Sequence, residues 1–169
     1  MKNLHNILYI SNFLLITFVA KQIISGIPNV QIVVLLMALF AARRNILEIF
    51  TFMLAYVILD FLVWGYPTLM IPSFLFGISW MLIAKKVNDI YKLSLLTIPL
   101  TIFHMLIYMF HDLLLLNMPW QSIIPYLIAG IPYAIPFLLS SIFSILYLYE
   151  PIIKVLGHIE KEYFKIKSN

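Results

Sequence analysis

Asp60 and Asp112 are carboxylates set near the ends of long apolar runs, and each has chemistry-bearing neighbours at short spacing. Asp60 stands four residues before Trp64 and six before Tyr66. A carboxylate there can bind a cation or a ligand's donor groups, or it can pair with Lys21, which lies at matching depth in the first run. Asp112 follows His104, Tyr108 and His111, whose offsets of four and three put them on one helical face. Two histidines and an aspartate suit a transition metal. However, His104 and His111 are two turns apart, ~10 Å along a helix axis, too far to share one ion unaided, and interior hydrogen-bonded groups are the alternative.

Charge is expensive in hydrocarbon, ~2.5 to 3.5 kcal/mol per residue at a helix centre on insertion scales, so such residues mark sites or are paired. Together with Asn29, Gln31, Trp120 and Gln121, the residues Asp60, Trp64, Tyr66 and Asp112 form the expected binding pocket. They combine hydrogen-bonding and stacking capacity, as a small planar ligand requires. Trp64, Tyr66, Trp120, Tyr126 and Tyr133 also fit one aromatic belt, with Trp80, Tyr91, Tyr147 and Tyr149 at the other interface.

Several chemistries are excluded. The chain has no Cys, which removes disulfides, thiolate nucleophiles and Cys-ligated metals. It has no G-x-S-x-G, H-E-x-x-H or Walker A motif and no Asp-rich phosphate-handling cluster, so no enzymatic activity is expected and no cofactor is implied. Any ATP-driven role would take its motor from another chain. Near the basic turns, Glu150, His158 and the Arg43–Arg44 pair are the only candidates for lipid-modifying catalysis, and an i, i+4 pairing of Glu150 with Lys154 accounts for the acid.

The elements that hold these residues must be membrane helices. Of 169 residues 63% are hydrophobic and 11% charged, with a mean hydropathy of +1.02, which leaves too little polar surface for a soluble domain. Six spans are expected, at 7–25, 28–42, 46–64, 67–84, 93–116 and 123–149, forming one all-α domain over residues 1–169. The second is short, with 13 residues from Val30 to Ala42. The first is read as a retained helix, since no A-x-A cleavage pattern follows it. In the sixth, Pro125, Pro132 and Pro136 predict an irregular segment from Pro119 to Gly130 and a helix from about Ile131. Beyond Pro151, Ile152, Leu156, Ile159, Tyr163 and Ile166 predict an amphipathic surface helix over 152–167.

Ten of the 11 Lys and Arg fall at Lys2, in the turns carrying Arg43, Arg44, Lys85, Lys86 and Lys92, or at Lys154, Lys161, Lys165 and Lys167. The intervening turns carry none. The positive-inside rule therefore puts both ends in the cytoplasm and the polar, aromatic site outside. The net charge of +4 is accounted for by topology and by contact with membrane lipids, so no nucleic-acid partner is expected. Ala38 and Ala42 form a small-xxx-small pair suited to helix docking.

Ile27-Pro28-Asn29-Val30-Gln31 before an apolar helix, then Tyr56-Val57-Ile58-Leu59-Asp60 and Trp64-Gly65-Tyr66-Pro67, resemble the substrate-binding S components of energy-coupling factor (ECF) vitamin transporters. Gly130-Ile131-Pro132-Tyr133 and the stretch from Glu150 to Leu156 are similar to that family's last helix and its cytoplasmic end. The resemblance implies a six-helix subunit of a bacterial plasma membrane that captures a vitamin or related micronutrient. It also implies association with a transmembrane coupling subunit and two cytosolic ATPases. The family's A-x-x-x-A docking motif in the first helix has no counterpart here, where only Ala20 stands, and Ala38 with Ala42 lie one helix later. Where relatives carry polar residues in the last helix, this chain has Ala134, Phe137 and Ser141, which implies a different ligand. The rival reading is a scaffold of the MreD type, a multispanning cell-shape protein that needs no ligand and would be solidly packed at its outer end.

Overall fold

The computed structural model describes the backbone of residues 2–25, 31–115 and 117–165, and side chains within these except at 2, 3, 5 and 160–165. Apart from short turns and 3-10 segments, the described residues are all α-helical. They form α1 (Lys2–Ile24), α2 (Val33–Arg43), α3 (Ile46–Trp64), α4 (Met70–Lys86), α5 (Ile90–Leu95), α6 (Thr97–Leu115) and α7 (Ile123–Lys165). α5 and α6 make one rod interrupted at Leu96, where Pro99 offers no N–H to the Leu95 carbonyl. There are thus six rods, five of them long and apolar enough to cross a membrane.

Local sequence fixes the helix ends. Asn45 and Glu48 form a reciprocal capping box at the start of α3: the Asn45 side chain accepts from Glu48 N–H at 2.9 Å, and Asn45 N–H donates to Glu48 Oε2 at 3.2 Å. α3 ends at Gly65, whose φ of 73° is left-handed and whose N–H donates to Phe61 O at 2.8 Å. Asp89 caps α5 by accepting from Tyr91 N–H and Lys92 N–H.

The sixth rod, α2, is the shortest and the most enclosed. Every residue from Val33 to Ala41 is buried. A helix apolar on all sides belongs inside a protein, and here α1, α4 and α7 pack around it. Phe40 stacks on Phe52 of α3 at 4.4 Å between ring centroids and meets Phe13 of α1 at 5.3 Å. Trp80 of α4 is fully buried and donates its indole N–H to Val34 O at 2.7 Å. It is a core anchor rather than the interfacial belt residue expected from its position. Arg43, at the end of α2, donates to Ile153 O of α7 at 2.6 Å.

Two expectations about the chain's last third change. The segment from Pro119 to Gly130 is not irregular: a 3-10 turn at Trp120–Ser122 leads directly into α7 at Ile123. Pro125 falls in the first turn of α7, where its missing N–H costs nothing, and Pro132 and Pro136 each forfeit one backbone bond within a long helix. α7 also continues through Pro151 to Lys165, so the amphipathic stretch extends the last rod rather than forming an element of its own, and 166–167 lie outside the described residues.

Candidate functional site

The 11 residues of α2 span ~16 Å, about half of a ~30 Å hydrocarbon core. α2 ends at Arg43 and begins only at Val33, and beyond Val33 the neighbouring helices line an open cavity of about 390 Å3. That is the size of a small-molecule site. Val33, Val34 and Met37 form its floor.

Polar groups converge on the walls from four helices and from Gln31, just before α2. Lys21 of α1 forms an ion pair with Asp60 of α3, and its ammonium lies 5.6 Å from the centre of the Tyr56 ring. Tyr56 and Asp60 are one turn apart, so both face the cavity. Ser73 of α4 and Tyr108 of α6 share a hydrogen bond of 2.9 Å. His104 of α6 stacks on Phe137 of α7 at 5.1 Å with 10° between planes, and meets Phe76 of α4 at 4.7 Å with the rings tilted by 55°. Gln31 donates its backbone N–H to Ser140 Oγ of α7 at 3.0 Å, tying the entry of α2 to the last helix. Trp64 and Tyr66 stand exposed at the rim.

The ion pair keeps this polar lining electrically balanced. A ligand offering both donors and acceptors can replace bonds that Lys21 and Asp60 make to each other, and aromatic walls on the α6–α7 side suit a flat ring.

Of the expected pocket residues, Gln31, Asp60, Trp64 and Tyr66 line this cavity. Asn29 lies outside the described residues. Asp112, Trp120 and Gln121 do not line it. Asp112 accepts from the Tyr126 hydroxyl at 2.9 Å and meets His111 Nδ1 at 2.8 Å, so one oxygen joins α6 to α7 and the other is held by its neighbour on α6. Trp120 and Gln121 sit exposed on the 3-10 turn. Ala38 is fully buried under its neighbours and cannot present a docking surface, whereas Ala42 is exposed.

The metal option also fails on geometry. His111 turns to Asp112 while His104 lies among aromatic rings, and no cluster of three or more potential ligands occurs among the described residues. Tyr56, Ser73, His104 and Tyr108 are cavity residues absent from the expected pocket set. For Tyr56, His104 and Tyr108 the signal was the four-residue spacing of Tyr56 to Asp60 and of His104 to Tyr108, which places each pair on one face, whereas Ser73 carried none.

A second cavity, of about 380 Å3, lies between α6 and α7 and shares Gln31, His104, Tyr108 and Phe137 with the first. No protein family, curated protein or solved structure matches this chain.

Proposed function

We propose that this protein is the substrate-binding subunit of an ECF-type importer, taking a vitamin-like micronutrient from outside a bacterial cell. The observation that carries the reading is the cavity above α2, where Gln31, Tyr56, Asp60, Ser73 and Tyr108 converge between aromatic walls. It lies at the end of the bundle remote from Arg43, Arg44, Lys85 and Lys86. The positive-inside rule assigns that end to the outside and both termini to the cytoplasm of a plasma-membrane protein. The chain carries no Walker motif, so transport would draw on a transmembrane coupling subunit and two cytosolic ATPases. Binding needs no bond-making chemistry. An MreD-type scaffold, by contrast, would have no use for a hollow, polar outer half.

Thermal unfolding of the purified chain against a panel of B vitamins, nucleobases and related micronutrients tests this. A ligand at 100 times its dissociation constant that binds only the folded state adds ~2.7 kcal/mol. One compound is expected to raise the midpoint, and Trp64→Ala or Ser73→Ala is expected to remove the shift while leaving the unliganded midpoint close to wild type. If a well-folded preparation responds to no compound, the scaffold reading replaces this one.

A further inference from the structure

The second cavity differs in kind from the first. Met105 borders it from α6, and Ala129, Gly130 and Ala134 border it from α7. Of the three tyrosines along it, Tyr126 is bound through its hydroxyl to Asp112 and Tyr108 to Ser73, and Tyr133 is exposed. The lining that remains is chiefly apolar. A void of that character holds water poorly.

Its setting identifies what fills it. Ile102, Ile128, Ile131 and Tyr133 on the same two helices are exposed, and at membrane depth exposed apolar side chains face hydrocarbon. The cavity runs along α7 from Tyr126 to Phe137, eleven residue rises or ~16 Å. One leaflet's share of a ~30 Å hydrocarbon core is ~15 Å, the reach of a single acyl chain. Gly130 marks the narrow point, where a Cβ would come within 2.8 Å of Met105 Cε.

We propose that the groove between α6 and α7 is a phospholipid site that takes one acyl chain from the leaflet remote from the basic turns. Its headgroup lies at the level of Tyr126 and Asp112, and the chain end reaches His104 and Phe137. Because those two rings also wall the first cavity, the lipid packs on the back of the candidate ligand site. The inference does not depend on what the first cavity binds.

The purified chain is reconstituted into phosphatidylcholine vesicles, a fraction of whose lipid carries a diazirine midway along one acyl chain. After photolysis, adducts are mapped by peptide mass spectrometry. Adducts at Met105 and across 126–137 are expected at several-fold the yield found on the exposed face of α1 around Leu15, Ile16 and Val19. Ala134→Trp, which fills the groove, should bring them down to that background, and Ala129→Phe serves if Ala134→Trp does not fold by gel filtration and circular dichroism. Wild-type adducts spread evenly over all exposed faces would mean boundary lipid alone and overturn the proposal. So would a yield at the groove that a folded filling variant leaves unchanged.

Discussion

Lys21 and Asp60 face each other from α1 and α3 with side chains 27% and 21% exposed, so neither is well served by water if the other is lost. Asp60→Asn removes the charge and leaves the ammonium without its partner near the hydrocarbon. The loss expected is about 1.5 to 3 kcal/mol, the scale of a hydrogen bond to a charged group. Replacing both, as in Lys21→Met with Asp60→Leu, should recover most of it, because no uncompensated charge remains. Unfolding midpoints of the two single variants and the double variant form the cycle that measures this. Equal loss in the double variant would show that packing, not charge, dominates at these positions.

At the scale of elements, the packing of α4 on α3 depends on Gly77. A Cβ there would fall 2.4 Å from Met53 Cε and Sδ, so Gly77→Ala must displace the Met53 side chain within a buried contact. Overpacking of this kind costs about 1 to 3 kcal/mol. Shortening the neighbour, with Met53→Ala in the same background, should relieve the clash, and thermal unfolding reads both. Met53 also lines the first cavity, so the double variant enlarges the candidate site without touching its polar groups. Its ligand response therefore separates fit against the floor from hydrogen bonding at the walls.

For the whole molecule, the distribution of charge predicts one orientation. The chain has no Cys, so single reporters are unambiguous. Asn88→Cys sits in the exposed turn beside Lys85 and Lys86, and Asn117→Cys in the exposed turn after α6. A membrane-impermeant maleimide applied to intact cells should label position 117 and leave 88 unmodified until the cells are opened. The reverse pattern would place the first cavity on the cytoplasmic side and remove the import reading.

What the sequence by itself determined are the properties that are sums or spacings along the chain. Hydropathy and length specify an apolar helical bundle, and the placement of Lys and Arg specifies which turns share a side. The four-residue spacing of Tyr56 to Asp60 already puts both on one face. Even the Lys21–Asp60 contact was legible as one of two options, because both charges stand at the same depth. Only the tertiary structure decided between positions that local pattern treats alike. Trp64 and Trp80 both read as belt tryptophans, yet one lies on the cavity rim and the other is enclosed beside Val34. Asp60 and Asp112 both end apolar helices and both are engaged, yet Asp112 is held by His111 and Tyr126 away from the first cavity while Asp60, paired with Lys21, lines it. The reason lies in α2: an 11-residue helix fills only half the bundle, and where it stops determines which of the surrounding side chains look into a cavity. Sequence records that α2 is short. Where its end falls among the other helices is a matter of packing in three dimensions.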